Sequence, residues 1–362
     1  MLSSPLDLEL VLLTHADATQ TQADELVTAV ANGSTTEGRS ALAAASQEGH
    51  VENMRTADGD TALILASAAG QLESVHLLLD ADADKSLCDN DGITALMAAS
   101  EEGHIAVLQL LLDVGADKDF ASTNVGTTAL MLASQEGNAE SVRLLLKAGA
   151  EKDLAASDDG TTAMMIGCLE GQTEVVRLLL DAGANKNICA NDGTTALTAA
   201  SENGHADIAR LLLDAGADKN LACNGGTTAL MLASGGGHAE IVSSLLDARA
   251  DKNLRDNEGS TAMAEASENG HADIPRLLLD AGADMNAASN DGTTALMQAS
   301  LHGQLEAVRI LLDARADLNS ATDAGFTALM LAHHCGHGEI ARLLLDVGAD
   351  MISPKKRSQP LD

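Results

Sequence analysis

The chain has no tryptophan and no tyrosine, and its only aromatic side chains are Phe120 and Phe326, so a core built on large rings is excluded. The apolar positions are Leu, Ala, Val, Ile and Met, which suit closely stacked helices. Positive charge is also scarce. Against 54 acidic residues stand 21 Lys and Arg, giving a formal charge of −33. That excess repels phosphate backbones and anionic membrane surfaces, so neither nucleic acid nor membrane is an expected partner. No run approaches the ~18 apolar residues that span a bilayer, and Met1 to Leu13 has no positive charge ahead of its apolar stretch. The five cysteines are odd in number and form no C-x-x-C pair, which fits a reducing compartment. These absences read as a soluble, intracellular protein, cytoplasmic in the simplest case.

What the chain does have is a period. Thr-Ala-Leu or Thr-Ala-Met occurs nine times, with the threonine at Thr61, Thr94, Thr128, Thr162, Thr195, Thr228, Thr261, Thr294 and Thr327, successive copies 33 or 34 residues apart. A unit of that length is one supersecondary element that cannot bury its own apolar face, so neighbouring units must stack and share a core. Residues 61–350 are expected to form one such array.

The copy opening at Asp89 shows the grammar. Asn90-Asp91-Gly92 is a turn signal and predicts a hairpin-like finger. Thr94 then precedes Ala95-Leu96-Met97-Ala98-Ala99-Ser100, good helix formers that a threonine hydroxyl can cap; this is helix A. It stops at Gly103, and each complete copy has a glycine at the equivalent place. Helix B follows, with apolar residues at helical spacing such as Ile208, Leu211 and Leu212. The order Glu174 before Arg177 and Asp207 before Arg210 predicts an exposed outer face. The unit closes on Asp-Ala-Gly-Ala-Asp or a variant, whose glycine is replaced by Asp82, Arg249 and Arg315; a left-handed backbone there costs ~1 kcal/mol each. Pro275 falls in the first turn of its helix B, where a missing N–H is tolerated. The two longer copies carry their extra residue between Lys118 and Gly126 and between Lys152 and Gly160, in the fingers.

Period, both glycines, Leu-Leu-Leu and Gly-Ala-Asp recurring together resemble the ankyrin repeat from about Gly38 to Asp350. The resemblance implies an all-α fold, an α-solenoid of helix-turn-helix units with hairpin-like fingers, acting as a protein-binding surface. Two departures stand out. The family's Pro is Ala here, as at Ala95, and its His is usually Met, as at Met97, Met131, Met165, Met231, Met297 and Met330. In the family that His ties neighbouring repeats by hydrogen bonds, so its loss implies apolar contacts in place of a polar network. The Met column is read as core.

The ends depart further. Ser4 to Leu12 alternates apolar and polar residues like a strand and resembles the last strand of a ubiquitin-like domain, so residues 1–13 are read as a remnant of one. Residues 14–60 read as truncated units, since Gln22 to Gly33 forms a helix A with no helix B behind it. Residues 351–362 read as a flexible tail. Its Lys355-Lys356-Arg357 is a weak nuclear-import signal.

No nucleotide loop, metalloprotease pair, nucleophile elbow or calcium loop is present, so no catalytic activity is expected. His50, His104, His205, His238, His271 and His337 follow the helix A glycine and read as part of the repeat. His302, His334, Cys335 and His337 place zinc-type donors in the last two repeats, but nothing in the sequence makes them converge, and no metal or cofactor is assigned.

The functional surface is expected on the fingers and helix A ends, the concave side with which the family binds its partners. The matching variable positions are acidic or amide. On the fingers they are Asn90, Asp91, Asp158, Asp159, Asp192, Glu258 and Asp291; at the helix ends, Glu101, Glu102, Glu136, Glu170, Glu202 and Glu268. The finger residues have an ordinary role as turn formers, whereas the helix-end glutamates do not. The expectation is a monomeric scaffold or adaptor with an acidic groove, binding other proteins through their basic and aromatic residues. A targeting subunit of a larger enzyme complex and a decayed paralogue without a selected partner are the alternatives left open.

Overall fold

The computed structural model of the chain describes residues 55–350. The strand remnant at 1–13, the truncated units before residue 55 with His50, and the tail at 351–362 lie outside the described residues. The chain divides into two compact units, with the boundary between Asn185 and Lys186. The first holds α1 (Ala62–Ala68), α2 (Leu72–Asp80), α3 (Ala95–Glu101), α4 (Ile105–Asp113), α5 (Ala129–Gln135), α6 (Ala139–Lys147), α7 (Ala163–Leu169) and α8 (Thr173–Asp181). The second holds α9 (Ala196–Glu202), α10 (Ala206–Asp214), α11 (Ala229–Gly235), α12 (Ala239–Asp247), α13 (Ala262–Asn269), α14 (Asp273–Asp280), α15 (Ala295–Leu301), α16 (Leu305–Asp313), α17 (Ala328–His334) and α18 (Gly338–Asp346). The described fold is thus all-α. Odd-numbered helices are the predicted helices A and even-numbered ones the helices B, and within each unit each helix packs on its repeat partner and on its counterpart in the next repeat.

Each threonine of the series is the N-cap of its helix A, in extended backbone conformation. All but Thr294 accept the N–H of the third helical residue, at 3.1 to 3.4 Å. Such a cap stabilises a helix by about 1 kcal/mol, which matters for segments of two turns. Five of these threonines also pair with the far side of the finger in isolated antiparallel bridges, as in Cys88 with Thr94 and Ala222 with Thr228. Gly103 ends its helix with φ 71°, as its place in the repeat predicts. Asp82, Arg249 and Arg315 take φ of 58°, 62° and 65°, so the left-handed conformation persists without glycine. Pro275, third residue of α14, is buried and does not interrupt it.

The core repeats with the sequence. The middle leucine of each Leu-Leu-Leu is fully buried, Leu78, Leu111, Leu145 and Leu179 in the first unit and Leu212, Leu278 and Leu344 in the second, as is Leu245 of the Ser-Leu-Leu copy, each worth about 1.5–3 kcal/mol. The Met column is core as expected: Met97, Met131, Met165, Met231 and Met297 are at most 3% exposed, and only Met330 in the last repeat is half-buried.

The expectation that apolar contacts replace the polar tie between repeats needs correcting, because two other tiers of hydrogen bonds make that tie. In one, a residue just ahead of helix B reaches back to a carbonyl at the end of helix A in the preceding repeat. His104 Nε2 lies 2.9 Å from the Ala68 oxygen, His271 Nε2 2.9 Å from that of Gly235 and His337 Nε2 3.0 Å from that of Leu301. A carbonyl only accepts, so each ring donates from Nε2. Gln172 and Gln304 make the same bond with side-chain amides. In the other tier, the loop after helix B carries an Asp or Asn whose Oδ1 accepts a backbone N–H from the next loop. Asp119 receives Glu151, Asn187 receives Asp218, and Asn220 receives Asp251 at 2.7 to 2.9 Å. The first tier satisfies carbonyls that a helix end leaves open, and the second satisfies N–H groups of the loop.

Candidate functional site

In the first unit the finger residues are exposed, and most already have work inside the fold. The Asn90 backbone N–H donates to the Asp58 oxygen at 3.0 Å and its side-chain amide to the Ala57 oxygen at 3.2 Å, tying this finger to the one before. Asp159 Oδ1 accepts the Thr161 N–H at 2.7 Å and Asp158 Oδ1 the Asp159 N–H at 2.8 Å, both closing their own turn. At the helix ends Glu102, Glu136 and Glu170 are C-cap residues exposed to solvent. Glu101 is not fully exposed as the sequence reading had it. It is half-buried, and burial pushes its carboxyl above the usual range, with the charges of Glu102 and Glu136 adding to the shift. Across the unit, Asp60 is raised by burial, offset by the Thr56 hydroxyl, and raised further by Asp89, Asp58 and Asp91.

In the second unit Asp192 and Asp291 are turn formers. Asp192 Oδ1 accepts the Thr194 N–H at 2.8 Å; Asp291 Oδ1 accepts the Ser289 hydroxyl at 2.5 Å and the Thr293 N–H at 3.0 Å. Those bonds hold both carboxyls below the ordinary range. Glu202 is exposed at the end of α9. Glu258, Glu268 and Asp291 come together around an open cleft of ≈ 470 Å³ between the fingers and helices α13 and α15, with Asn257, Asn290 and Gln298 also in its wall. Glu268, like Glu101, is only half-exposed: Gln298 Nε2 donates to its Oε2 at 3.2 Å, and His302 Nε2 lies 3.7 Å from its Oε1.

The deepest carboxylate of this cleft, Glu265, was not among the sequence-derived candidates. Burial pushes its pKa up, the Ser260 hydroxyl donating at 2.8 Å opposes the shift, and Glu268, Asp256 and Glu258 add to it. A signal was present: the equivalent positions Leu65, Leu132, Ile166 and Leu232 are aliphatic, so an acid there breaks the column.

Charge is segregated within each unit. The arginines of helix B pair with acids of their own helix or the next, as Arg143 does with Glu140 and Glu174, Arg210 with Asp207 and Glu240, and Arg309 with Glu306 and Glu339. The helix B side also holds a concavity of ≈ 830 Å³ near the ends of α10 and α12, lined by Arg210 and Lys219 as well as by Asp214, Asp218 and Asp247, so that its charge is mixed. Of the zinc-type donors, His337 is engaged at a helix B start and His302 lies beside Glu268. Among the described residues no group of three or more His, Cys, Asp or Glu is gathered as a metal site. No helix among them is long and apolar enough to cross a membrane.

A family model of ankyrin repeats matches residues 63–156, 130–223, 216–289 and 283–354. The chain belongs to the ankyrin-repeat family. No curated protein matches it. Ankyrin repeats generally mediate binding to other proteins.

Proposed function

We propose that this ankyrin-repeat chain is a non-catalytic scaffold that binds a basic protein partner on its finger and helix A face. The supporting observation is the crowding of carboxylates there. Glu101 beside Glu102 and Glu136, and Glu265 beside Glu268 and Glu258, sit among like charges that add to the upward shift burial gives Glu101 and Glu265, whereas helix B arginines such as Arg143 and Arg210 are already paired. A cation entering that face relieves repulsion the fold otherwise carries. Lys and Arg supply the cations, and aromatic anchors must come from the partner, since this chain has no Trp or Tyr. A soluble monomer in the cytoplasm is consistent with this role.

Attraction of this kind speeds association and weakens with salt, the screening length being ~8 Å at physiological ionic strength. The test is affinity capture by the intact chain and by a variant with Glu101, Glu102, Glu136, Glu202 and Glu268 all changed to Lys. The variant should keep its helical circular dichroism and lose the partner, and added salt should weaken capture by the parent chain. If capture survives both charge reversal and high salt, the face is not the site and the acidity serves solubility alone.

A further inference from the structure

The partner's chemistry is more specific in the first unit than charge alone requires. There the helix A position four residues beyond the capping threonine is aliphatic in every copy: Leu65, Ala98, Leu132 and Ile166. Helices α1, α3, α5 and α7 pack on one another in sequence, so these side chains form a row. Leu65, Leu132 and Ile166 are only half-buried, and Ala98, which is buried, leaves a notch between the two leucines. Leu169, one turn beyond Ile166, is 48% exposed. The row faces the fingers, because its equivalent in the second unit, Glu265, bonds to Ser260 at a finger base.

Carboxylates lie on both sides of this row. Asp60 and Asp91 stand on the finger side, and Glu101, Glu102 and Glu136 at the helix ends. A purely cationic ligand would leave the aliphatic row in water, and a purely apolar one would leave the carboxylates uncompensated and partly desolvated. We propose that the first unit receives a cationic amphipathic segment of another protein. Its aliphatic or aromatic side chains lie along Leu65, Ala98, Leu132 and Ile166, and its Lys or Arg residues reach the two banks of carboxylates. The proposal rests on the binding role argued above and adds to it the apolar half of the recognition. An anionic lipid surface does not fit, since both banks repel it.

The test uses the full chain and two synthetic peptides of about 18 residues, five helical turns. One places Leu and Phe on one face and Lys on the other; the second keeps every Lys and replaces Leu and Phe with Ser. The amphipathic peptide should bind at least about tenfold tighter, the effect of burying one or two aliphatic contacts. Leu132→Gln and Ile166→Gln should each erode that preference severalfold, while Val114→Gln, at the exposed end of helix B, should not. Equal binding of the two peptides, or a preference untouched by Leu132→Gln, overturns the proposal. If both peptides bind equally and release with salt, the acidic reading stands without the apolar one. If neither binds at low salt, the proposal falls, and capture by the charge-reversed chain decides the binding role separately. Should Leu132→Gln lose helical signal, the preference measured on the parent chain remains decisive.

Discussion

Two glycines with nearly the same backbone should respond very differently to alanine. Gly204 ends helix A of its repeat with φ 77°, and Gly216 ends helix B of the same repeat with φ 78°. At either one a Cβ in the left-handed region costs roughly 1–2 kcal/mol, partly offset by the ~0.4–1 kcal/mol that alanine gains from a less flexible unfolded chain. A Cβ on Gly216 would meet nothing within 4 Å, whereas on Gly204 it would sit 2.6 Å from Cε1 and 2.7 Å from Nδ1 of His238. That ring cannot move away without giving up its bond to the Glu202 oxygen, 3.1 Å from Nε2. The lost bond adds about 0.5–1.5 kcal/mol. Gly216→Ala should therefore cost about 0–1.5 kcal/mol, and Gly204→Ala about 0.5–1.5 kcal/mol more.

Urea unfolding followed by helical circular dichroism measures both, with hydrogen exchange across α9 and α10 as a local check, because repeat arrays need not unfold in one step. A double-mutant cycle separates strain from clash. On a His238→Ala background the ring is gone, and the cost of Gly204→Ala should fall to that of Gly216→Ala. If the two substitutions cost the same in the parent chain, or if removing His238 leaves the cost of Gly204→Ala unchanged, the ring is not what makes glycine necessary there.

Arg249→Gly and Arg315→Gly should each stabilise by about 0.5–1 kcal/mol, since both side chains are exposed and hold left-handed backbone that glycine takes without strain; a lowered urea midpoint would refute this. Ser201 is fully buried and its hydroxyl has no hydrogen-bond partner, while Ser100 donates to the Leu96 oxygen at 2.7 Å. Ser201→Ala should thus be neutral or stabilising by up to about 1–2 kcal/mol and Ser100→Ala should cost about 0.5–1 kcal/mol; the opposite order in thermal melts would show the hydroxyls to be bonded differently. Glu265 has a folded pKa above its unfolded one, so the stability tied to its protonated form is present below the ordinary glutamate range and lost as pH rises through the raised value. Glu265→Gln should accordingly stabilise at neutral pH and not at pH ~4, where the parent carboxyl is largely protonated in both states. A gain equal at both pH values would assign the effect to packing.

Much of this architecture was legible because the signals are local and repeated. A Thr ahead of two turns of Ala, Leu and Met, a glycine to stop them and a leucine triplet place both helices of each repeat within a residue or two, and the structure keeps those positions, including the non-glycine residues at left-handed φ. What stayed hidden was relational. The helix B starts carry His, Asn or Gln, residues with nothing in common except a side-chain N–H donor, and only the stacking of one repeat on the next puts that donor against a helix A carbonyl, at 2.9 to 3.1 Å for His104, Gln172 and His238. Exposure at the helix ends was hidden for the same reason. Glu101 and Glu102 are adjacent in sequence, yet one is half-buried and the other exposed, because the direction of each side chain on a helix decides which meets the next repeat.

The segregation of charge follows from that stacking and bears on binding. Exposed ion pairs such as Arg143 with Glu140 contribute at most about 1 kcal/mol, and often nothing measurable, so stability is a weak reason for cations to lie on helix B. A stronger consequence is what they leave behind. With the arginines balanced against acids of their own face, the carboxylates of the fingers and helix A ends have few cations beside them, and their field extends toward solvent. In the first unit that field borders a row of half-buried aliphatic side chains; in the second, Glu265 and Gln298 replace the aliphatic residues of the same column. Two ankyrin units built on one backbone plan therefore present different chemistry at equivalent positions, an unbroken aliphatic row between acids in one and a row broken by an acid and an amide between Leu232 and Leu331 in the other. Charge-reversing Glu258 and Glu268 should remove a partner held by charge alone on the second unit, yet leave the first unit's preference for the amphipathic peptide intact. Loss of that preference on reversing the second unit's acids would mean that the aliphatic row does not set it.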